Sequence, residues 1–395
     1  MALKPRVQAT PPTKAVVDLP ANKQSFIHIG DAHLRRGAWM SRPGLYGDSF
    51  HAFSRVIDFA IRYSLSIVSS GDLFNSTRPA SDEIQFFNRQ MKRIEEAGLK
   101  FYKIDGNHEL ANPSWSEVGL SSAVIDIDKK VVELLPGLFV YGLASRTLAD
   151  LHTELPLIPK EATVLFCHQL MDWAINFSYS SNMDHRLVPP HVQLVLASDL
   201  HHAIEYTNPD TNQVFAYNGS MCMQNVAEPV EKSFMVVTYE GGKLRYDRVP
   251  LTGRPVFSAK VFTQAEFETV LLQVIDAVNP DKYGHLPAEL RKPMVIVSAV
   301  TQVERAASRL EEAIGELGFL FFNSIDTQLT APKAQIEPVS FSASDVLASL
   351  LNPTEHPAAY SLALALISNP DPRQTLATYR EQQLGSVSSI PAPPK

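Results

Sequence analysis

The stretch SFIHIGDAH, Ser25–His33, joins a short apolar run to a cluster of polar, lone-pair-bearing side chains. Four more stretches repeat that design: LSIVSSGDLF (Leu65–Phe74), LKFYKIDGNHE (Leu99–Glu109), ATVLFCHQ (Ala162–Gln169) and VQLVLASDLHH (Val192–His202). Short, near-continuous apolar runs fit strands buried on both faces. Helical patterns fill the gaps between the first three. In DSFHAFSRVIDFAIRYS, residues Phe50, Phe53, Ile57, Ala60 and Ile61 recur at helical spacing. In SDEIQFFNRQMKRIEEAG, Ser81 suits the N-cap, Asp82 and Glu83 the first turn, and Gly98 the position after the last turn, while Ile84, Phe87, Met91 and Ile94 form one face. Strands alternating with helices predict an α/β domain. Polar groups in such domains gather beyond the carboxyl ends of the strands. The five clusters are therefore expected to converge on one edge.

In chain order the clusters are Asp31-x-His33, Gly71-Asp72, Gly106-Asn107-His108-Glu109, His168 and Asp199-x-His201. Carboxylate, imidazole and amide oxygen together suit borderline divalent ions such as Mn²⁺, Fe²⁺ or Zn²⁺. Short spacing within a cluster means one loop; long gaps between clusters mean different strands. This is the sequence form of a two-metal site, with ions ~3.5–4 Å apart bridged by one carboxylate, built for in-line attack on a phosphate ester. Glu109 either orients His108 or a ligand, or is an acid at a helix start. His28, inside the first strand, reads as a core residue.

This order of motifs resembles the calcineurin-like metallophosphoesterase superfamily. Within it, GDLFNSTRP from Gly71, YNGSM (Tyr217–Met221), EKSF (Glu231–Phe234) and GRPVF (Gly253–Phe257) are similar to markers of the SbcD family of nuclease subunits. The resemblance implies an α/β fold of α/β/β/α layering: a β-sandwich flanked by helices, with a smaller α/β capping domain and a helical C-terminal segment. It implies that Asp31, His33 and His201 hold one ion, that Asp72 bridges, and that Asn107, His168 and Asp199 hold the other. His108 would contact the scissile phosphate or protonate the leaving oxygen. The implied activity is metal-dependent DNA hydrolysis with two divalent ions, Mn²⁺ foremost, by a homodimer paired with an SbcC-like SMC-family ATPase.

Two departures from the family pattern stand out. Where the family has Gly-His-x-His, this chain has Ser198-Asp199-Leu200-His201. Aspartate is a harder ligand than imidazole and tilts the site toward Mn²⁺. Residues i and i+2 of extended chain point the same way, so Asp199 and His201 should face the site and His202 away from it. Asn75 stands where several family members carry His or Asp near the incoming strand, and with Arg35 it is a candidate substrate-binding residue. Arg36 could also meet phosphate.

The chain has 395 residues, enough for two or three domains, and a formal net charge of -7. That balance argues against tight autonomous DNA binding but is compatible with a carboxylate-lined nuclease or with a basic partner. Two cysteines, Cys167 and Cys222, make no disulfide framework and fit a reducing cytoplasm. No apolar run approaches the ~20 residues of a membrane span, and the N-terminus lacks a secretory apolar region. The boundaries read as a disordered arm at 1–22, a phosphoesterase (nuclease) domain at 23–255, a capping, DNA-binding domain at 256–335, and partner-binding helices with a disordered tail at 336–395. In the last segment SASDVLASLL and AAYSLALALI are apolar and helix-capable. EGGK, Glu240–Lys243, predicts a hairpin turn. Two other readings compete: a phosphatase or phosphodiesterase of the same superfamily acting on nucleotides or phosphoproteins, and a catalytically silent scaffold with the esterase fold.

Overall fold

The computed structural model describes residues 6–8 (backbone only), 24–35, 42, 44–109, 121–174, 183–300 and 302–325. The C-terminal helices and tail expected at 336–395 lie outside the described residues, as does Arg36. Strands β1 to β5 are Arg6–Gln8, Ser25–Ile29, Ile67–Ser69, Phe101–Lys103 and Val124–Asp126. Strands β6 to β11 are Val131–Leu135, Leu138–Leu143, Val164–His168, Leu194–Ser198, Ile204–Thr207 and Val214–Tyr217. Strands β12 to β16 are Lys232–Glu240, Lys243–Leu251, Val256–Val261, Met294–Val300 and Phe319–Ile325. The helices are α1 Asp48–Tyr63, α2 Ser81–Glu96, α3 Leu148–Glu154, α4 Gln264–Ala277 and α5 Ala306–Ile314.

Two six-stranded mixed sheets carry the chemistry. One has the order β13-β12-β2-β3-β4-β5 and the other β10-β11-β9-β8-β7-β6. All five stretches singled out in the sequence are strands, but they divide between the sheets: β2, β3 and β4 in the first, β8 and β9 in the second. Alternation along each strand explains the stacking. Phe26, Val164, Phe166, Leu194 and Leu196 share the core between the sheets. Their neighbours face outward: Ile27 and Ile29 pack with Phe53, Ile57, Phe87 and Met91 of α1 and α2, and Leu165, Cys167, Val195 and Ala197 pack with Leu151 of α3. The result is a β-sandwich between helical layers, the α/β/β/α arrangement expected. β8 and β9 are apolar on both faces because each face meets a different core.

The EGGK turn closes β12 onto β13 with Glu240 opposite Lys243, and Gly241 and Gly242 take φ of 57° and 78°, the positive values a two-residue hairpin turn demands. Gly98 follows α2 at φ 69°. Ser81 is the first residue of α2 and not its cap; the cap is Ala80, whose N–H donates to the Glu83 carboxylate at 2.9 Å. The N-terminal arm, expected to lack structure, contributes β1, which runs antiparallel to β14 and supplies that edge with a hydrogen-bonding partner.

From Val256 the chain builds a third sheet, ordered β1-β14-β15-β16, with α4 and α5 packed on its apolar core. The described residues all fall within one compact unit. Arg254 ties this sheet to the sandwich, beside an apolar cluster of Leu45, Met223, Val256 and Met294. Its guanidinium donates to the Asp48 carboxylate at the start of α1 (2.9 and 3.0 Å), to the Tyr46 carbonyl (3.1 Å) and to the Lys292 carbonyl (2.8 Å), and lies 5.5 Å from the Phe319 ring centroid. The Arg254 side chain is 1% exposed and that of Asp48 23%. Removing one partner of a buried pair costs about 3–5 kcal/mol; the partial exposure of Asp48 points to the lower end. Arg254→Ala is expected to lower unfolding stability accordingly in urea titration, and a change within ~0.5 kcal/mol would show that the tie is not a stabilising one.

Candidate metal centre

The ends of β2, β3, β4, β8 and β9 meet at one end of the sandwich, across both sheets. Asp31 and His33 follow β2, Asp72 follows β3, Asn107 and His108 follow β4, His168 ends β8, and Asp199 and His201 follow β9. Oxygen and nitrogen atoms of Asp31, His33 and His201 lie within 4.8 Å of one another, as do those of Asp31, Asp72 and His168, and those of His33, Asp72 and His108. Asp72 reaches both sides: its Oδ2 is 3.6 Å from His33 Nε2 and its Oδ1 is 3.4 Å from His168 Nε2. Asp199 Oδ1 lies 3.9 Å from His168 Nε2, and the Asp199 N–H donates to the Asp31 carboxylate at 3.1 Å. All seven residues predicted as ligands are therefore brought together.

The backbone is bent hard to achieve this. Asp31, His33, Asp72 and Asp199 have φ of 46°, 43°, 50° and 88°, in the region that non-glycine residues seldom occupy. This corrects one piece of the sequence reading. Asp199 and His201 do not face the site as alternate residues of extended chain, since β9 ends at Ser198 and Asp199 is left-handed. A turn aims them. His202 is exposed. The loops after β3 and β4 also touch. A Cβ on Gly71, itself at φ 99°, would stand 2.6 Å from His168 Nδ1 and 2.7 Å from the Gly106 nitrogen, so no larger residue fits.

Donor chemistry and charge fit a cation. His201 gives its Nδ1–H to Glu228 (2.8 Å), which turns its Nε2 lone pair toward His33 Nε2, 3.0 Å away. Buried His33 Nδ1 has no hydrogen-bond partner among the described residues. His168 gives Nδ1–H to the Ser70 carbonyl (2.8 Å), and its Nε2 faces Asn107 Oδ1 at 3.1 Å. With the ring charged, Nε2 donates to Asn107 Oδ1; with the ring neutral, the Asn107 amide turned over donates to His168 and Asp72 instead. Burial lowers His33 to about 3. Burial also opposes charge on His168, but its hydrogen bond to Asp72 and the charges of Asp72, Asp31 and Asp199 win and push it up to about 10. The cluster draws positive charge to the place where a metal ion would supply it.

The remaining candidates fall around this core. His108 is set apart from the buried imidazoles: its side chain is 37% exposed, its Nδ1–H meets the Asn75 carbonyl at 3.0 Å, and its Nε2 is 3.8 Å from Asp72 Oδ2. Asn75 thus acts on the site through its main chain. The main chain of Arg35 is tied to the Ser49 hydroxyl, and the residue lines a cleft with Tyr46, Asp48 and Cys222. His28 is fully buried beside the Ser70 hydroxyl, the core position expected. Glu109 carries two readings in the sequence, and no motif there marks Glu228. Glu109 is buried, and its carboxylate accepts from the N–H groups of Asp72 (2.9 Å), Phe74 (2.7 Å) and Gly106 (2.8 Å), pinning two ligand loops together. It does not touch His108 through its side chain in any of these bonds.

Residues 25–219 match the family model of calcineurin-like phosphoesterases. The chain therefore carries a domain of that family, and the crowded end of the sandwich lies within the matched residues. The chain is also similar to curated proteins. It is 24% identical over 336 residues to the DNA double-strand break repair protein Mre11 of Methanosarcina acetivorans, covering 81% of this chain and 53% of that protein. It is 24% identical over 271 residues to Mre11 of Methanosarcina mazei, covering 64% and 42%. The chain thus spans about half the length of the curated relatives it matches. Among solved structures, zinc-complexed Vps29 from Entamoeba histolytica aligns at 10% identity and a TM-score of 0.29 over 58% of this chain and 99% of that one. Among the described residues, no helix is long and apolar enough to cross a membrane.

Proposed function

We propose that this chain is a metal-dependent DNA nuclease, the catalytic subunit of an SbcCD-like repair or recombination complex. The observation that carries the reading is the convergence of seven ligand-type residues from five strands beside a more exposed histidine, His108. Similarity to Mre11 proteins supports DNA as the substrate. Asp31, His33 and His201 would hold one divalent ion, Asn107, His168 and Asp199 a second, with Asp72 between them. Such a pair would polarise the phosphate and lower the pKa of the attacking water. The chain's own residues do the rest. Glu109 and the glycines hold the loops in register. The Asn75 carbonyl fixes the His108 proton on Nδ1, so Nε2 faces the substrate side, where the protonated ring can donate to the departing oxygen. Arg35 and the Asn75 side chain are the candidate phosphate contacts. The sheet beginning at Val256 would face DNA. An ATPase partner would supply the positive charge that this acidic chain lacks, docking on the segment at 336–395. A homodimer and a cytoplasmic location belong to the same reading.

The test is hydrolysis of linear double-stranded and circular single-stranded DNA by the purified protein in Mn²⁺, beside a chromogenic phosphodiester. DNA cleavage abolished by chelation is expected. Full activity in excess chelator overturns the reading, and cleavage of the small ester alone returns it to a general phosphodiesterase.

Asp199 gives a separate prediction. Asp199→His is expected to retain activity and to shift metal preference from Mn²⁺ toward ions that favour imidazole. Histidine is among the residues that tolerate positive φ. Relative rates in a panel of divalent ions check it; an unchanged order of preference would place Asp199 outside the coordination sphere.

A further inference from the structure

The three imidazoles around the centre whose Nδ1–H has a partner are oriented by different acceptors. His168 and His108 each donate to a backbone carbonyl, of Ser70 and Asn75. His201 donates to a side-chain carboxylate, that of Glu228, at 2.8 Å. Glu228 is 6% exposed and lies between β11 and β12, 27 positions from its partner. Its own placement is over-determined. Oε2 accepts from Lys232 Nζ (2.7 Å), Ser220 Oγ (3.0 Å) and the Gln224 N–H (3.0 Å), while Oε1 accepts from Asn225 Nδ2 (3.0 Å) as well as from His201. Lys232, 8% exposed, also reaches the His201 carbonyl at 3.5 Å. Ring and backbone of His201 are thus gripped by one ion pair. A carboxylate so held cannot swing to substrate; what it can do is fix the ring that touches it.

We infer that Glu228 is a positioning residue for His201, fixing the tautomer with Nδ1 protonated and Nε2 free, and strengthening the grip of Asp31, His33 and His201 on a divalent ion. A carboxylate on the far nitrogen of a metal-bound imidazole sets ring orientation and raises ligand basicity, and loss of such a partner typically weakens metal binding about 10–100-fold. The inference rests on the metal-centre reading above. Lys232 has a defined part in it: without its charge, Glu228 would be a buried carboxylate held only by neutral donors.

The experiment is calorimetric titration of Mn²⁺ into chelator-stripped full-length protein, wild type and Glu228→Gln, with ¹⁵N shifts of the histidine ring nitrogens recorded before metal is added. In the variant one Mn²⁺ site is expected to weaken about 10–100-fold while the other keeps its affinity, and the His201 nitrogens should move toward a mixture of tautomers. Should the single variant fail to fold because the new amide faces Lys232, Glu228→Gln with Lys232→Met removes that clash and is expected to give the same one-site loss. Unchanged affinity with an unchanged His201 tautomer overturns the inference, as does equal weakening of both sites. If the wild type itself binds no Mn²⁺, the metal reading falls, and the ring shifts alone decide whether Glu228 sets the tautomer.

Discussion

Asp72→Ala is expected to abolish hydrolysis and to take bound metal from about two ions per chain to none. Asp72 stands between the two halves of the centre: one of its oxygens lies 3.6 Å from His33 Nε2 and the other 3.4 Å from His168 Nε2, whereas Asp31, which also neighbours both groups, is placed with His33 and His201 in the proposed assignment. Burial would raise its carboxyl, but the hydrogen bond with His168 and the nearby charges of His168, His33 and His108 outweigh it and hold it at about 2. It is therefore an anion throughout the useful pH range. Removing it leaves the remaining imidazoles without the charge that balances them. Metal content measured on variant protein of native circular dichroism checks the prediction. Retention of a full complement of metal would mean that Asp72 bridges nothing.

His108→Ala is expected to lower turnover about 10²–10⁴-fold, the usual contribution of a general acid, while leaving metal content near that of the wild type. His168→Ala should do the opposite first, depleting metal. The geometry separates the two. The His168 side chain is 0% exposed and that of His108 37%, and the nearest Asp72 oxygen is 3.4 Å from the first and 3.8 Å from the second. Position alone would still allow His108 to join His33 and Asp72 around an ion, so elemental analysis of both variants is the deciding measurement. Equal depletion would make His108 a ligand and remove the acid from the mechanism.

The candidate ligands were legible in the sequence because each sits where an apolar run stops abruptly. SFIHI and VLFCH are too short and too continuously apolar for a helix of ordinary length and fit a two-faced strand, and a strand end in such a domain is where polar groups are used. What periodicity could not tell was that β8 and β9 belong to a different sheet from β2, β3 and β4, since strands buried on both faces read alike in either sheet. Nor could spacing reveal Glu228. Its partner is 27 positions away, and in AEPVEKSF it looks like one more surface acid. Glu109 was visible but ambiguous: an acid at a helix start and a clamp on three N–H groups have the same sequence. Asp199 shows the limit of pattern reasoning most directly. The expected facing of Asp199 and His201 is found, but a residue at φ 88° produces it, and no alternation rule contains that turn.

Those bent backbones bear on how this protein would respond to selection. Asp31, His33, Asp72 and Asp199 are four of the eight non-glycine residues at positive φ among the described ones, each holding on the order of 1–3 kcal/mol of strain. Glycine would relieve it at every one of them. A library of random variants sorted only for heat resistance should thus enrich glycine at the positions a sort for catalysis would keep, and the conflict between the two survivor lists would mark the ligand loops without any knowledge of the reaction.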